Sequence, residues 1–329
     1  MPADAPRMAL VSGYGIQLRL DATAAQTSAT PVRLRLPLAA RAAHLPQELL
    51  LISPDGVQIE WADPEQAPLN PPGTQEFVLC RAAQKTSWVR GRAGMRYRDL
   101  LPGRLGGRFI ASHIRIVEGG PVPDYVHFHE VGVQLIFCRR GWVRVIYEDQ
   151  GPPFVLQPGD CVLQPPTIRH RVLEASAGLE VIEVGSPAQH ETWRDHELAL
   201  PTPQVDGERR FGGQRFVRHV AAQALWQSSA QGRLQFADTG IADATNGMAS
   251  VRVLRLHGSP GKPAGMPMLA APVHFLFVLC GRLRLGPVAD EMIDLDSDDA
   301  CVLPARWSGR LESSSACEIL EVALPAPAA

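Results

Sequence analysis

The chain has 329 residues, 45% of them hydrophobic and 20% charged, with 32 basic against 34 acidic side chains and a formal charge of −2. That length suits two domains of ordinary size, and the balance is that of a folded protein rather than a disordered one. It excludes a chain built to hold nucleic acid or an acidic membrane, and no apolar run approaches the roughly 18 residues a bilayer-crossing helix needs.

The first residues, Met1 to Arg7, lack the charged-then-apolar pattern of an export signal, so a cytoplasmic protein is expected. Residues 1–72, rich in Ala, Pro, Thr and Gln, read as a partly irregular arm with short edge strands near 32–37 and 48–53. From residue 73 the sequence repeats itself. Phe77-Val78 returns as Phe216-Val217, Ala82-Ala83-Gln84 as Ala221-Ala222-Gln223, and Gly141 as Gly281. Cys161-Val162-Leu163 returns as Cys301-Val302-Leu303, and the run from Glu180 to Val184 as Glu318 to Val322. The chain therefore holds two copies of one β-rich domain, at 73–188 and 213–326, with a joint at 189–212 whose stretch Gln189–Leu198 reads as a short helix or a covering loop. Short strands broken by Gly and Pro in each copy predict double-sheet jelly rolls, an all-β fold. Six cysteines without a C-x-x-C pair read as reduced core thiols.

Chemistry concentrates between Gly120 and Glu174. His127 and His129, one residue apart on a predicted strand, share a face because side chains alternate with period two. On the next strand Gln134, Ile136 and Cys138 share one face, and Leu135 and Phe137 the other. A third strand from Asp160 leads through Gln164-Pro165-Pro166 to His170, with Val172 and Glu174 at the same parity. Three imidazoles and an amide can thus converge inside a barrel.

These residues resemble the cupin superfamily. His127, His129 and Gly141 match its first motif, with Gln134 where the family has a glutamate and Gly120 one residue upstream of the motif's leading glycine. Gly159, Pro165 and His170 match the second motif, with Thr167 and Glu174 where glycine and asparagine are common. The resemblance implies two tandem double-stranded β-helix barrels and a metal site of His127, His129, Gln134 and His170. It implies one divalent transition metal, Fe(II) first, with Zn, Mn, Ni or Co also accommodated. In the second copy the corresponding positions are Pro267, Leu269, His274 and Gly309, so that barrel is expected to be degenerate and His274 a hydrogen-bonded core residue.

The overall plan is similar to that of gentisate-type bicupin dioxygenases, which makes dioxygen chemistry on a small polar substrate the first expectation. The alternatives are a redox-neutral isomerase or lyase using the metal as Lewis acid, and a non-catalytic ligand sensor. Glu174 is the candidate base and Tyr125 a candidate substrate-orienting group. Arg139-Arg140, Arg169 and Arg171 are candidate attractors of a carboxylate. Asp195-His196 and His190-Glu191 in the joint invite an acid/base reading against the ordinary one of polar loop residues. A small-molecule substrate, neither nucleic acid nor membrane as partner, and a homodimer that protects sheet edges complete the expectation.

Overall fold

The computed structural model describes residues 8–13, 16–21, 33–37, 50–52, 58–62, 77–83, 88–229, 233–258, 264–265, 273–288, 291–304, 307 and 309–324. Its contacts divide the chain into two units, Met1–Pro71 and Pro72–Ala329. In the first unit the arm is more regular than its composition suggests. Met8–Gly13 pairs antiparallel with Ile16–Asp21. Gln58–Ala62 lies between Arg33–Pro37, parallel to it, and Leu50–Ile52, antiparallel.

The second unit holds two barrels. It opens with β1 (Val78–Cys80), β2 (Arg96–Asp99) and β3 (Ile110–Ile116). The strands β4 (His127–Glu130), β5 (Val133–Arg140), β6 (Val143–Tyr147) and β7 (Phe154–Leu156) come after them. Next are β8 (Cys161–Leu163), β9 (His170–Ala175), β10 (Leu179–Ser186) and β11 (Glu191–Arg194). The second copy contributes β12 (Val217–His219), β13 (Leu234–Asp238), β14 (Ser250–Leu256) and β15 (Val273–Cys280). It closes with β16 (Arg282–Val288), β17 (Glu291–Asp296), β18 (Ala300–Leu303), β19 (Arg310–Glu312) and β20 (Cys317–Leu324). Among the described residues no helix is long and apolar enough to cross a membrane.

Each barrel is a sandwich. In the first, the sheet β7-β6-β9-β4-β11 faces a sheet ordered β12-β8-β5-β10-β3-β2; in the second, β19-β16-β17 faces β13-β14-β20-β15-β18-β1. The opening strands of the two copies are exchanged: β1 pairs with β18 of the second barrel, and β12 with β8 of the first. Buried aspartates pin both crossings. Asp299 Oδ1 accepts the backbone N–H of Ala82 at 2.7 Å, and Asp160 Oδ1 that of Ala221 at 2.8 Å. The repeated Ala-Ala-Gln thus marks where each crossing strand is held. The stretch read as a helix or loop in the joint contains instead β11, an edge strand beside β4.

The two larger sheets pack back to back, which explains why their strands are apolar on both faces. On β5, Leu135 and Phe137 join Phe275, Phe277 and Leu320 in a core between the barrels, while Cys138 points into the first barrel's own core. Gly141 and Gly281 turn the chain at φ +72° and +82°. A Cβ on Gly281 would collide with the Ala316 carbonyl, so only glycine fits this hairpin. Five cysteines are buried free thiols; Cys280 is exposed.

At one edge of the interface between barrels lies an ionic cluster. Glu180, buried on β10, accepts from Arg115 and Arg139 at 2.7 Å each and pairs with His113 at 3.1 Å. Arg139 reaches Asp298 of the second barrel at 2.5 Å. Burial alone would raise the Glu180 pKa; hydrogen bonding and charge from His113, with Arg139 and Arg115, outweigh it and hold the carboxyl at about 2, below its ordinary 4.5. A carboxylate with a depressed folded pKa stabilises the fold above its unfolded pKa, and that stabilisation is lost as pH falls toward the folded value. Glu180→Gln is therefore expected to destabilise the protein by about 3–5 kcal/mol at neutral pH. In urea unfolding the gap to the parent chain should close between pH 4.5 and about 2; a gap constant over that window would show that the charge on Glu180 is not what holds the interface.

Candidate functional site

The site is assembled by strand register. His127 on β4 stands directly opposite His170 on β9, and His129 follows His127 on the same face. Their ring centroids lie 4.3 Å (127–170), 5.2 Å (127–129) and 5.3 Å (129–170) apart. One nitrogen from each ring falls within 4.8 Å of the other two, close enough to hold one metal ion.

The far side of each ring is engaged. His127 Nδ1 donates to the Tyr125 carbonyl at 2.8 Å and His170 Nδ1 to the Ile168 carbonyl at 3.0 Å. Carbonyls only accept, so in the neutral rings the proton sits on Nδ1 and Nε2 is the deprotonated, metal-competent nitrogen. His129 Nδ1 meets the Thr192 hydroxyl of β11 at 2.8 Å. Asp124 lies 3.7 Å from His127 Nδ1 and accepts the N–H of Val172 at 2.9 Å, tying β9 to the approach to β4. Such outer contacts are what orient imidazole ligands in metal sites.

Gln134, 1% exposed, enters the same space from β5. Its amide donates to Glu183 Oε1 at 2.7 Å, whereas its own Oε1 is buried with no hydrogen-bond donor. A buried unsatisfied oxygen costs about 1–3 kcal/mol unless something electropositive meets it. The three imidazoles could hold a metal ion, and the Gln134 oxygen lines the same cavity. The other grouping of metal-competent side chains among the described residues, His113, Glu180 and Asp298, is already neutralised by Arg115 and Arg139.

A cavity of about 590 Å³ extends from the histidines into the first barrel. Beside His170, the Tyr147 ring stacks at 5.4 Å, and Gln164 donates to its hydroxyl at 2.9 Å. Burial pushes the Tyr147 phenol well above its usual pKa, an effect Gln164 only partly offsets, so it stays a proton donor. Glu183 and His190 also line the cavity, His190 edge-on to His129 at 5.5 Å.

The candidates named from sequence are placed unevenly. His127, His129, Gln134 and His170 come together around the cavity; Glu174 and Tyr125 do not line it. Glu174 is ion-paired with Arg144 at 3.0 Å, because an irregularity sets Val145 opposite Val172 but Arg144 opposite Glu174. The residue between, Leu173, is extra, and it reverses the parity of the residues after it. Tyr125 serves through its carbonyl, while its ring carries the Arg194 guanidinium at 4.7 Å. Arg139 belongs to the interface cluster, Arg169 pairs with Asp195 at 3.0 Å, and Arg171 contributes to the cavity lining. Backbone N–H groups of Leu198 and Glu197, with Arg169, hold Asp195 at about 2.

The residues missed from sequence are Glu183, Tyr147, Gln164 and Thr192. A signal existed for Glu183, a charge inside an apolar strand that recurs as Glu321. In the second barrel that position explains the degeneracy. Glu321, fully buried, takes Arg252 at 2.5 Å and His274 at 2.7 Å, so a guanidinium and an imidazole occupy the places of Ser112 and Gln134. Pro267 and Leu269 lie outside the described residues. Gly309, in the place of His170, makes room for Trp307, whose indole a Cβ there would strike. Gly309→Ala is expected to cost about 1–3 kcal/mol by overpacking. Denaturant unfolding measures the loss; an unchanged midpoint would mean the indole does not fill this space.

No protein-family model matches the chain, and no curated protein matches it. Solved structures do. A putative glyoxylate-induced protein from Pseudomonas aeruginosa superposes with TM-score 0.56 at 14% identity, over 78% of this chain and 91% of that one. Oxalate decarboxylase from Bacillus subtilis, described with Mn(II) centres, gives TM-score 0.55 at 13% identity, over 78% of this chain and 79% of that one. The same enzyme at pH 4.6 gives 0.53 at 15%, over 80% of each. At these identities the likeness establishes the fold alone, an all-β, cupin-like architecture.

Proposed function

We propose that the first barrel is the centre of a mononuclear enzyme dependent on a divalent metal, with Nε2 of His127, His129 and His170 and Oε1 of Gln134 as ligands. The carrying observation is the buried Gln134 oxygen, left without a donor in the wall of the cavity that three rings with engaged Nδ1 sides also line. All four donors are neutral and suit a first-row divalent ion, Fe(II) first, then Mn, Co, Ni or Zn. When bound, such an ion would retain its full charge, chelate two substrate oxygens and polarise them, and as iron would also open dioxygen chemistry. A dioxygenase is the leading reading, supported by a donor set without carboxylate, a degenerate second barrel and a largely apolar cavity. In it Tyr147, held by Gln164, donates a hydrogen bond to a substrate oxygen.

A redox-neutral isomerase or lyase is the second reading, favoured by one further observation. Glu183, fastened to Gln134, can accept a proton in the same cavity where Tyr147 keeps one.

Elemental analysis of anaerobically purified protein is expected to find about one ion per chain, lost in His170→Ala. Thr192→Val should weaken its retention by about 10–100-fold in competition with a chelator. Iron with substrate-dependent oxygen uptake, screened over gentisate-like, diketone and keto-acid compounds, supports the oxygenase. Zinc with no uptake and a product isomeric with substrate supports the second reading. A chain that takes up no ion, even on reconstitution, overturns both.

A further inference from the structure

The two barrels share one architecture but not one interior, and besides the polar exchanges described above they differ in side-chain size at matched apolar positions. In the second barrel Leu285 faces Leu311 across β16 and β19; in the first, Val145 faces Val172 across β6 and β9. Leu283 faces Leu295 where Val143 faces Leu156. Ile319 faces Leu254 where Val181 faces Ile114. Leu254, Leu283, Leu285, Leu295, Leu311 and Ile319 are all 0% exposed, and Trp307 is 7% exposed in the same core. Four of the counterparts are valines, Val143, Val145, Val172 and Val181, and these border the cavity of about 590 Å³. A packed interior is the default of a protein core, so an open one bounded by valines where the described residues of the other barrel have larger aliphatics calls for an explanation.

That volume lies in the range that encloses a drug-sized ligand rather than a two-carbon acid. Gln134, Tyr147, Gln164 and Glu183 line it with the histidines, and Asp99, Arg104, Ser112 and Arg171 are further polar groups in its wall. Much of the remaining wall is aliphatic: Ile114, Ile116, Ile136, Val143, Val145 and Val181 among others. We infer that the substrate has two parts, a head with two neighbouring oxygens that meets the histidine end and an apolar alkyl or aryl body that fills the space between the sheets. This deepens the metal-enzyme reading and rests on it for the head alone; the apolar body is argued from the cavity.

The probes are straight-chain 2-oxo acids of four, six, eight and ten carbons, titrated calorimetrically into the manganese-loaded chain. Affinity is expected to rise by about fourfold for each added methylene until the cavity is full. Val145→Leu with Val172→Leu copies the sister barrel. It should keep metal content and four-carbon binding while losing tenfold or more at ten carbons. Val145→Leu alone, the milder change, should show the same direction if the pair folds poorly. Affinity that is flat with chain length, or variants that bind the ten-carbon acid as well as the parent, would overturn the inference. Should the chain take up no metal, the fluorescence of 8-anilinonaphthalene-1-sulfonate with metal-free protein still decides the apolar part. Binding by the parent that weakens in the leucine variants sustains it, and equal or no binding overturns it.

Discussion

The histidine cluster depends on one antiparallel register, the one that sets His127 of β4 opposite His170 of β9. Side chains alternate along a strand, so a slip of one residue would turn His127 and His129 out of the barrel together. The register is held from both sides. Asp124 ties Val172 of β9 to the approach to β4, and β11 pairs with β4 over its whole length, from His127 opposite Arg194 to Glu130 opposite Glu191. The joint between the copies is thus part of the site's frame, and Thr192 acts on His129 from it.

The exchange of opening strands bears on the same frame. Each copy completes the other's larger sheet, so neither barrel has its full complement of strands from its own repeat. Between those sheets runs an apolar layer in which Phe109 meets Phe275 at 5.6 Å, rimmed by the cluster around Glu180. Burying such a carboxylate costs free energy unless cations surround it, and here they come from β3 and β5 of one barrel, with Asp298 of the other joining through Arg139. The second barrel therefore reaches the first barrel's site without lining it: it packs against β5 and β10, the strands that carry Gln134 and Glu183, and ion-pairs with β5 through Arg139.

The features legible in the sequence are those that depend on spacing. The period-two placement of His127 and His129, the two faces of β5 and the repeat of Gly141 as Gly281 need only a regular strand and a turn. The features that were not legible depend on irregularity or on meetings across space. Counting by twos from His170 places Glu174 inward, and one extra residue at Leu173 reverses the count. Thr192 sits on an edge strand whose four residues, Glu-Thr-Trp-Arg, carry no run of buried positions, so no pattern marks it as a strand. Tyr147 and Gln164 meet over 17 residues of sequence, and neither belongs to a motif. The arm's parallel pairing of Arg33–Pro37 with Gln58–Ala62 likewise joins segments that no local signal connects.

The paired copies also show how one inherited polar position can be resolved in two ways. In both barrels a glutamate on the last long strand, Glu183 or Glu321, is bonded to a side chain one strand over, Gln134 or His274. Burial would raise the Glu321 pKa, but His274 and Arg252 outweigh it and hold the carboxyl ionised. That arrangement is closed: the carboxylate's charge is balanced by Arg252, and Trp307 and the leucines fill the space around it. The first barrel has Ser112 in place of the arginine, and there the Gln134 oxygen lacks a donor. A cation beside three imidazoles would bring to this barrel the positive charge that Arg252 brings to its sister. The cation proposed for the first barrel and the filled core of the second would then be two answers to the same electrostatic requirement, and the first of them leaves an interior open.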